Sequence, residues 1–379
     1  SDGSSPDWIE IWNPNPTETD LGGFQLVDRV DPVSIFSFPA MTLAGGEYLV
    51  VDAAEIGVDG VPATGFSLNR SAGSELILRD PLGETLQYFS YPRQRADISF
   101  GPFGGSEFFF TTPTPGEPNS GKVVEGFVAD TQFSVLRGFY GAPQKVEVTS
   151  ETSNAEIYVT LDGTEPDPED PGAILYTEAI TISTTTVLRA RAFKEGLEPT
   201  DIDTQTYLFT ADVAGQSSSP DNFPPAWIPN LNVGVQRNPV KALSHYGFNS
   251  GVLGTLPMND AIGGSFDLED ALVVIPTMSL VVDADELFDP VEGLHINAGQ
   301  RGRAWERLAS IEYLNPASGE MRQANCGIRM HGGWNRFPEM LKKSFRLYFR
   351  AEYGDASFDA PLFEDAPVDE YDRLIMRSG

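Results

Sequence analysis

Over residues 1–120 hydrophobic and polar positions alternate in short runs, and no stretch has a sustained helical period. Trp8-Ile-Glu-Ile-Trp12, Phe24-Gln-Leu-Val27, Glu47-Tyr-Leu-Val-Val51, Glu75-Leu-Ile-Leu78 and Thr85-Leu-Gln-Tyr-Phe89 are such runs. A period of two sends successive side chains to opposite faces, so each run predicts a strand. Turn signals separate them: Asp20-Leu-Gly-Gly23, Ala44-Gly-Gly46 and Asp80-Pro-Leu-Gly83. The predicted architecture for residues 1–120 is a β-sandwich. The Pro-rich Thr112-Pro-Thr-Pro-Gly-Glu-Pro-Asn119 reads as its exit linker.

A second β unit is predicted over 125–209. Val146-Glu-Val-Thr149, Glu156-Ile-Tyr-Val-Thr160 and Val187-Leu-Arg-Ala-Arg-Ala-Phe193 alternate as strands, and Asp162-Gly-Thr-Glu-Pro166 is a turn. The acidic loop with Asp167, Glu169 and Asp170 lacks the alternating acids and central Gly of an EF-hand loop, so it reads as a solvated hairpin tip. Residues 210–270 are Ser/Pro-rich, then Gly-rich, and form a connector in which Trp227 is expected to dock on a neighbour. A third domain opens at 271. Ala271–Val282 predicts a long buried strand, and Asp283-Ala-Asp-Glu-Leu-Phe288 a helical turn capped by Asp283. Gly293-Leu-His-Ile-Asn297 and Ala309-Ser-Ile-Glu-Tyr-Leu314 follow.

The pattern is most telling near the end. From Leu341 to Arg350, Phe345, Leu347 and Phe349 fall on one face, and Lys342, Ser344, Arg346, Tyr348 and Arg350 on the other. Arg329 and His331 are likewise two apart, with Ile328 and Met330 opposite. Two neighbouring strands would present Arg329, His331, Lys342 and Arg346 to a common surface; Lys343 would point to the apolar side. The bland alternative is a solvated polar face. The charge sharpens the choice, because the chain carries 25 basic and 55 acidic residues, a net −30. Arg329 to Arg350 nevertheless holds Arg329, Arg336, Lys342, Lys343, Arg346 and Arg350 against Glu339 alone. Such a local reversal of sign points to an anion, a phosphate among them.

The same net charge argues against general nucleic-acid binding and against adhesion to anionic lipid. An acidic surface with 19 Arg and 6 Lys suits a salty medium, where screening relieves self-repulsion. Cys326 is the single cysteine, so no intrachain disulfide forms, and a buried structural thiol is expected. No apolar run is long enough to span a membrane, and no signal peptide is visible. Both ends enter a pattern part-way, which reads as a piece of a longer protein.

Three stretches resemble known families. Asp7-Trp-Ile-Glu-Ile-Trp-Asn-Pro14, Asp20–Asp28, Phe38-Pro39, Leu43–Val51, Ala96–Gly101 and Thr114–Asn119 resemble a lamin-tail domain, an immunoglobulin-like sandwich whose first strand is missing here. Gly138-Phe-Tyr140, Ala155–Pro166, Leu188–Phe193 and Thr206-Tyr207 resemble the C-terminal sandwich of chitobiases and β-hexosaminidases, fibronectin-like in shape. Val159-Thr-Leu-Asp-Gly163 departs mildly from that family's Tyr-Thr-x-Asp-Gly, and the likeness brings no glycosidase activity with it. Ile275-Pro-Thr-Met-Ser-Leu280, Gly293–Asn297, Trp305-Glu-Arg307, Ser310–Tyr313, Gly327-Ile-Arg-Met-His-Gly332, Lys342–Arg350 and Leu374–Gly379 resemble the N-terminal half of the spore-coat-protein-H-like (CotH) kinase family. The implied fold class is mainly β: two immunoglobulin/fibronectin-like sandwiches, then the N-terminal, mostly β part of an atypical kinase-like α+β domain.

The kinase resemblance implies ATP-dependent phosphoryl transfer to Ser/Thr of a surface or coat protein, with ATP and Mg²⁺ as cofactors. It places Lys342, with Arg346, on the nucleotide phosphates, and Arg329 and His331 as second candidates. The metal-binding and base aspartates of that family would lie after Gly379, so this chain by itself is expected not to phosphorylate. An extracellular or cell-surface location is implied, with the sandwiches serving interaction or positioning. The competing reading is a non-catalytic adhesin or carbohydrate-binding scaffold, with carbohydrate or protein ligands on the sandwiches. Phosphate-loop, His-Glu-x-x-His and Cys-x-x-Cys motifs are absent from the sequence. Three His and one Cys make a zinc site improbable. Asn297-Ala-Gly-Gln-Arg-Gly-Arg303 reads as a hairpin turn, not as a nucleotide loop.

Overall fold

A computed structural model describes residues 7–28, 34–54, 62–219, 226–228, 242–243, 268–337, 342–354, 356–363 and 368–378. Strands hold 43 % of the described residues and helices 7 %, so the architecture is mainly β. The described residues fall into two compact units: those up to Phe127 together with Gly196–Glu198, and those of Val128–Glu195 and from Pro199 onward.

In the first unit, Asp7–Trp12 pairs antiparallel with Tyr48–Ala53. A four-stranded sheet runs in the order Ser34–Ser37, Gln25–Asp28, Ser74–Arg79, Thr85–Tyr91. Alternate residues of these strands, among them Ile9, Leu26, Val51 and Leu76, meet in one apolar core. Burial of such side chains contributes roughly 1.5–3 kcal/mol each before chain entropy is counted. Asn13 is buried within this unit yet satisfied. Its Nδ2 donates to the carbonyls of Thr17, Leu43 and Ala44 at 2.9–3.1 Å, and its Oδ1 accepts from the Asn15 amide at 3.1 Å. One buried amide thus closes the turn that follows the first described strand.

The second unit contains the fibronectin-like strands and the last sheet together. A five-stranded sheet runs Gly138–Phe139, Asp203–Leu208, Thr186–Phe193, Glu156–Thr160, Ile174–Leu175. The last sheet is an antiparallel meander: β1 (Thr277–Val281), β2 (Arg307–Asn315), β3 (Glu320–His331), β4 (Ser344–Tyr348) and β5 (Arg373–Met376). Ala309, Ile311 and Tyr313 of β2 lie on the same face as Ala324, Cys326, Ile328 and Met330 of β3, and these form its core with Leu347. Cys326 is fully buried there, and burial pushes its thiol far up, so it is an inert packing group.

The opposite face of β2 and β3 is polar in sequence but buried at one end. The Asp203–Leu208 strand covers it. Thr206 donates its amide to Glu312 Oε1 at 3.0 Å, its hydroxyl also reaches Glu312, and Ser279 Oγ lies 2.9 Å from that hydroxyl. Asn325 Nδ2 donates to the Ile202 carbonyl at 2.9 Å. A buried carboxylate is tolerable only with such donors.

The long buried strand over 271–282 is shorter than expected. Leu268–Leu272 is a helical turn, Val273–Ile275 are exposed, and the strand begins only at Thr277. Pro276 explains the break, since it has no N–H and restricts the residue before it. The Asp283 cap is present, with Oδ1 accepting from the Asp285 amide at 2.9 Å. Most of the 210–270 connector, and the side chain of Trp227, lie outside the described residues.

Candidate functional site

The cations stand at the other end of the polar face, which no strand among the described residues covers. Cross-strand register puts Arg329 of β3 opposite Arg346 of β4, and His331 opposite Ser344. On the next pair Arg346 faces Ile375 and Tyr348 faces Arg373. Residues opposite one another share a face, and those two apart repeat it, so Arg377 falls on this face as well. His331 is half-buried, and its imidazole pKa is lowered first by that burial, then by Arg346, Arg336 and Arg377. Arg336 is lowered for the same reasons, with Arg301 and Arg346 the repelling neighbours. Among the described residues no carboxylate is paired with Arg346, Arg377, Arg301 or Lys342.

A second cluster lies beside it, in which three guanidinium groups gather on one buried carboxylate. The Glu306 side chain is 1 % exposed and receives Arg303 Nη1 at 3.0 Å, Arg350 Nε at 3.2 Å and the Tyr353 hydroxyl at 2.8 Å. Arg329 Nη2 approaches its other oxygen at 2.5 Å. Arg329 and Arg350 also lie over the Tyr348 ring, at 4.5 and 5.1 Å from its centroid. Such cation–π contact holds both guanidinium planes in place.

The predicted residues therefore divide. Arg346 and His331 stand together on the open face. Arg329 shares their face, but its guanidinium is paired with Glu306. Lys342 precedes β4 and is exposed, so the strand does not fix its direction. Lys343 turns inward and donates Nζ to the Phe337 carbonyl at 2.8 Å. Glu306 and Arg377 were not singled out by sequence reasoning. Glu306 sits inside the Trp305-Glu-Arg307 motif, and its role appears only when Gly327, Arg329, Arg350 and Tyr353 come together around it. Arg377 continues the alternation of Arg373 and Ile375 one step past β5 and was legible on that ground.

The acidic loop at 167–170 caps itself. Asp167 Oδ1 accepts from the Glu169 amide at 2.8 Å and Asp170 Oδ1 from the Gly172 amide at 2.7 Å. Among the described residues no group of three or more His, Cys, Asp or Glu is placed to hold a metal ion. Among them, too, no helix is long and apolar enough to cross a membrane.

Residues 1–93 match the family model for the Lamin Tail Domain, and residues 135–204 match that for the Chitobiase/beta-hexosaminidase C-terminal domain. Each match falls on strands described above, and both are similarities of modules. No curated protein matches the chain.

Proposed function

We propose that the open cationic face of residues 271–379 is a phosphate-binding surface of a CotH-type atypical protein kinase, carried by an exported modular protein. One observation carries the reading. In a chain of net charge −30, Arg346 stands on the same face as Arg329 and His331, Arg377 continues that face, and among the described residues no carboxylate is paired with Arg346 or Arg377. Uncompensated like charge costs free energy in the free protein and is relieved by an anion. Arg346 and Arg377, unpaired with a carboxylate among the described residues, would hold phosphate oxygens of ATP, with Lys342 and His331 at the margin. ATP would supply the transferable phosphoryl group, with Mg²⁺ as its accompanying ion; no residue here is assigned to the metal. Arg329 acts as a positioning residue through Glu306 and Tyr348. The phosphoacceptor would be a surface or coat protein, and the two sandwiches would position the domain. Calorimetry with ATP on the full chain tests this. Binding that weakens with salt and drops at least about tenfold in Arg346→Ala/Arg377→Ala supports it. Binding indifferent to both changes would remove the site from this face.

A second reading has its own observation. Trp12 is 54 % exposed and stacks near-parallel on Tyr48, with ring centroids 6.0 Å apart, on adjacent strands of the first unit. A flat, water-exposed aromatic strip suits the apolar face of a sugar ring. On that reading the chain is a carbohydrate-binding scaffold. Retardation in gels containing polysaccharide, lost in Trp12→Ala, would favour it; equal mobility of both proteins would count against it.

A further inference from the structure

The strand Asp203–Leu208 of the chitobiase-type module has one incomplete edge. On one side it pairs with Thr186–Phe193 over Asp203–Tyr207. On the other it meets only Gly138–Phe139, opposite Tyr207 and Leu208. The Leu208 carbonyl accepts the Tyr140 amide at 2.8 Å on that second side. Backbone groups two residues apart point the same way, so those of Thr206 and Ile202 face this side too, where no strand among the described residues pairs with them. Main-chain groups buried without partners are costly, and an open edge invites foreign strands. Side chains of the last sheet close it. Glu312 of β2 accepts the Thr206 amide at 3.0 Å, and Asn325 of β3 donates Nδ2 to the Ile202 carbonyl at 2.9 Å. Gln323 Nε2 donates to Asn325 Oδ1 at 3.2 Å and holds that amide in its orientation.

The contact extends past that edge. Ser279 Oγ of β1 lies 2.9 Å from the Thr206 hydroxyl, and Arg137 Nε 3.5 Å from Glu312 Oε1. Gly163, in the turn after Glu156–Thr160, lies against the end of β1, where a Cβ built on it would stand 3.4 Å from Val281 Cγ1. Gly354 lies against Asp201, with 3.6 Å from its built Cβ to Oδ2. Thr206, Glu312 and Asn325 are all buried. The edge needs an acceptor and a donor at fixed places, which only the folded last sheet supplies. Buried Glu312 in turn needs the Thr206 donors. We propose that the last sheet is the obligate partner of this edge, so that the chitobiase-type module and the last sheet fold and unfold together as one rigid body. The cationic face is then carried at a fixed place on that body, not on a tether, and this edge of the module is closed to any foreign strand. The inference stands whether or not the cationic face binds phosphate.

The chain carries its own reporter. Cys326, the single cysteine, is fully buried in the last sheet, so its reaction with a thiol reagent follows the opening of that sheet. Val146 is fully buried in the module, where Gln144–Val146 pairs with Ile180–Ile182. The full chain is labelled at a urea concentration within its unfolding transition, as wild type and as Val146→Ala. A single cooperative body passes a loss in the module on to the last sheet, so Val146→Ala is expected to speed Cys326 labelling about tenfold or more. Should that variant not fold, Ile182→Val, buried on the partner strand, makes the same test with an acceleration of about two- to tenfold. Circular dichroism melts establish that each variant is destabilised. If Cys326 reacts at the wild-type rate in a variant whose melt has shifted, the last sheet unfolds independently of the module and the inference is overturned.

Discussion

Gly327 has no side chain because Glu306 occupies the place where one would be. A Cβ built at 327 would stand 2.4 Å from Glu306 Oε1 and 2.6 Å from its Cδ. The carboxylate has little freedom to retreat, since Arg303, Arg350 and Tyr353 hold the same oxygen. Gly327→Ala should therefore destabilise the last sheet by about 1–3 kcal/mol, as overpacking does. A fall in the urea midpoint at unchanged slope would show it. An unchanged midpoint would mean that the Glu306 cluster shifts freely.

Glu312 bridges the fibronectin-like strands and the last sheet inside the second unit. It is buried, Arg137 Nε lies 3.5 Å from Oε1, and burial raises its pKa against the pull of Arg137. Glu312→Ala strands Arg137 in a buried place and removes the acceptor of the Thr206 amide. A cost of about 3–5 kcal/mol is expected, with Glu312→Gln distinctly milder because it still accepts. Paired urea melts of the two variants decide this; equal losses would show that the carboxylate's charge does not matter.

Asp203 gives the fold a pH dependence. Burial raises its pKa from 3.8 to about 6, with the Thr131 hydroxyl pulling the other way. An acid whose folded pKa is raised binds its proton more tightly when folded. Its stabilising contribution is complete below the unfolded pKa and is lost as pH rises through about 6. Asp203→Asn should flatten the stability profile between about pH 4 and 6, a difference of up to ~3 kcal/mol. Denaturation midpoints across that window, wild type against variant, measure it; parallel profiles would contradict the assignment.

His331 reports on the cationic face. Arg346→Ala removes one of the charges that depress it, so its pKa should rise. A bound anion should raise it further in the wild type. With three histidines in the chain, the imidazole resonances can be followed by NMR through a pH titration. An unmoved His331 would mean that Arg346 is distant in solution.

Much of this was legible in the sequence. A strand repeats every two residues, so the placement of Phe345 and Leu347 away from Ser344, Arg346 and Tyr348 follows from local backbone geometry alone. So do the shared face of Arg329 and His331, the inward turn of Lys343 and the cap at Asp283. Matches to the lamin-tail and chitobiase-type modules rest on that same local patterning of strands and turns.

Only the tertiary structure decided which of those polar residues are free. Ser279, Glu312 and Asn325 sit on a face that alternation marks as polar, yet a strand more than a hundred residues earlier than Glu312, at Thr206, buries it. Arg329 and Arg346 look alike in sequence, but Glu306 pairs with the first, and among the described residues no carboxylate pairs with the second. Charge compensation depends on distance in space, and alternation carries no information about which carboxylate the fold will bring within 3 Å.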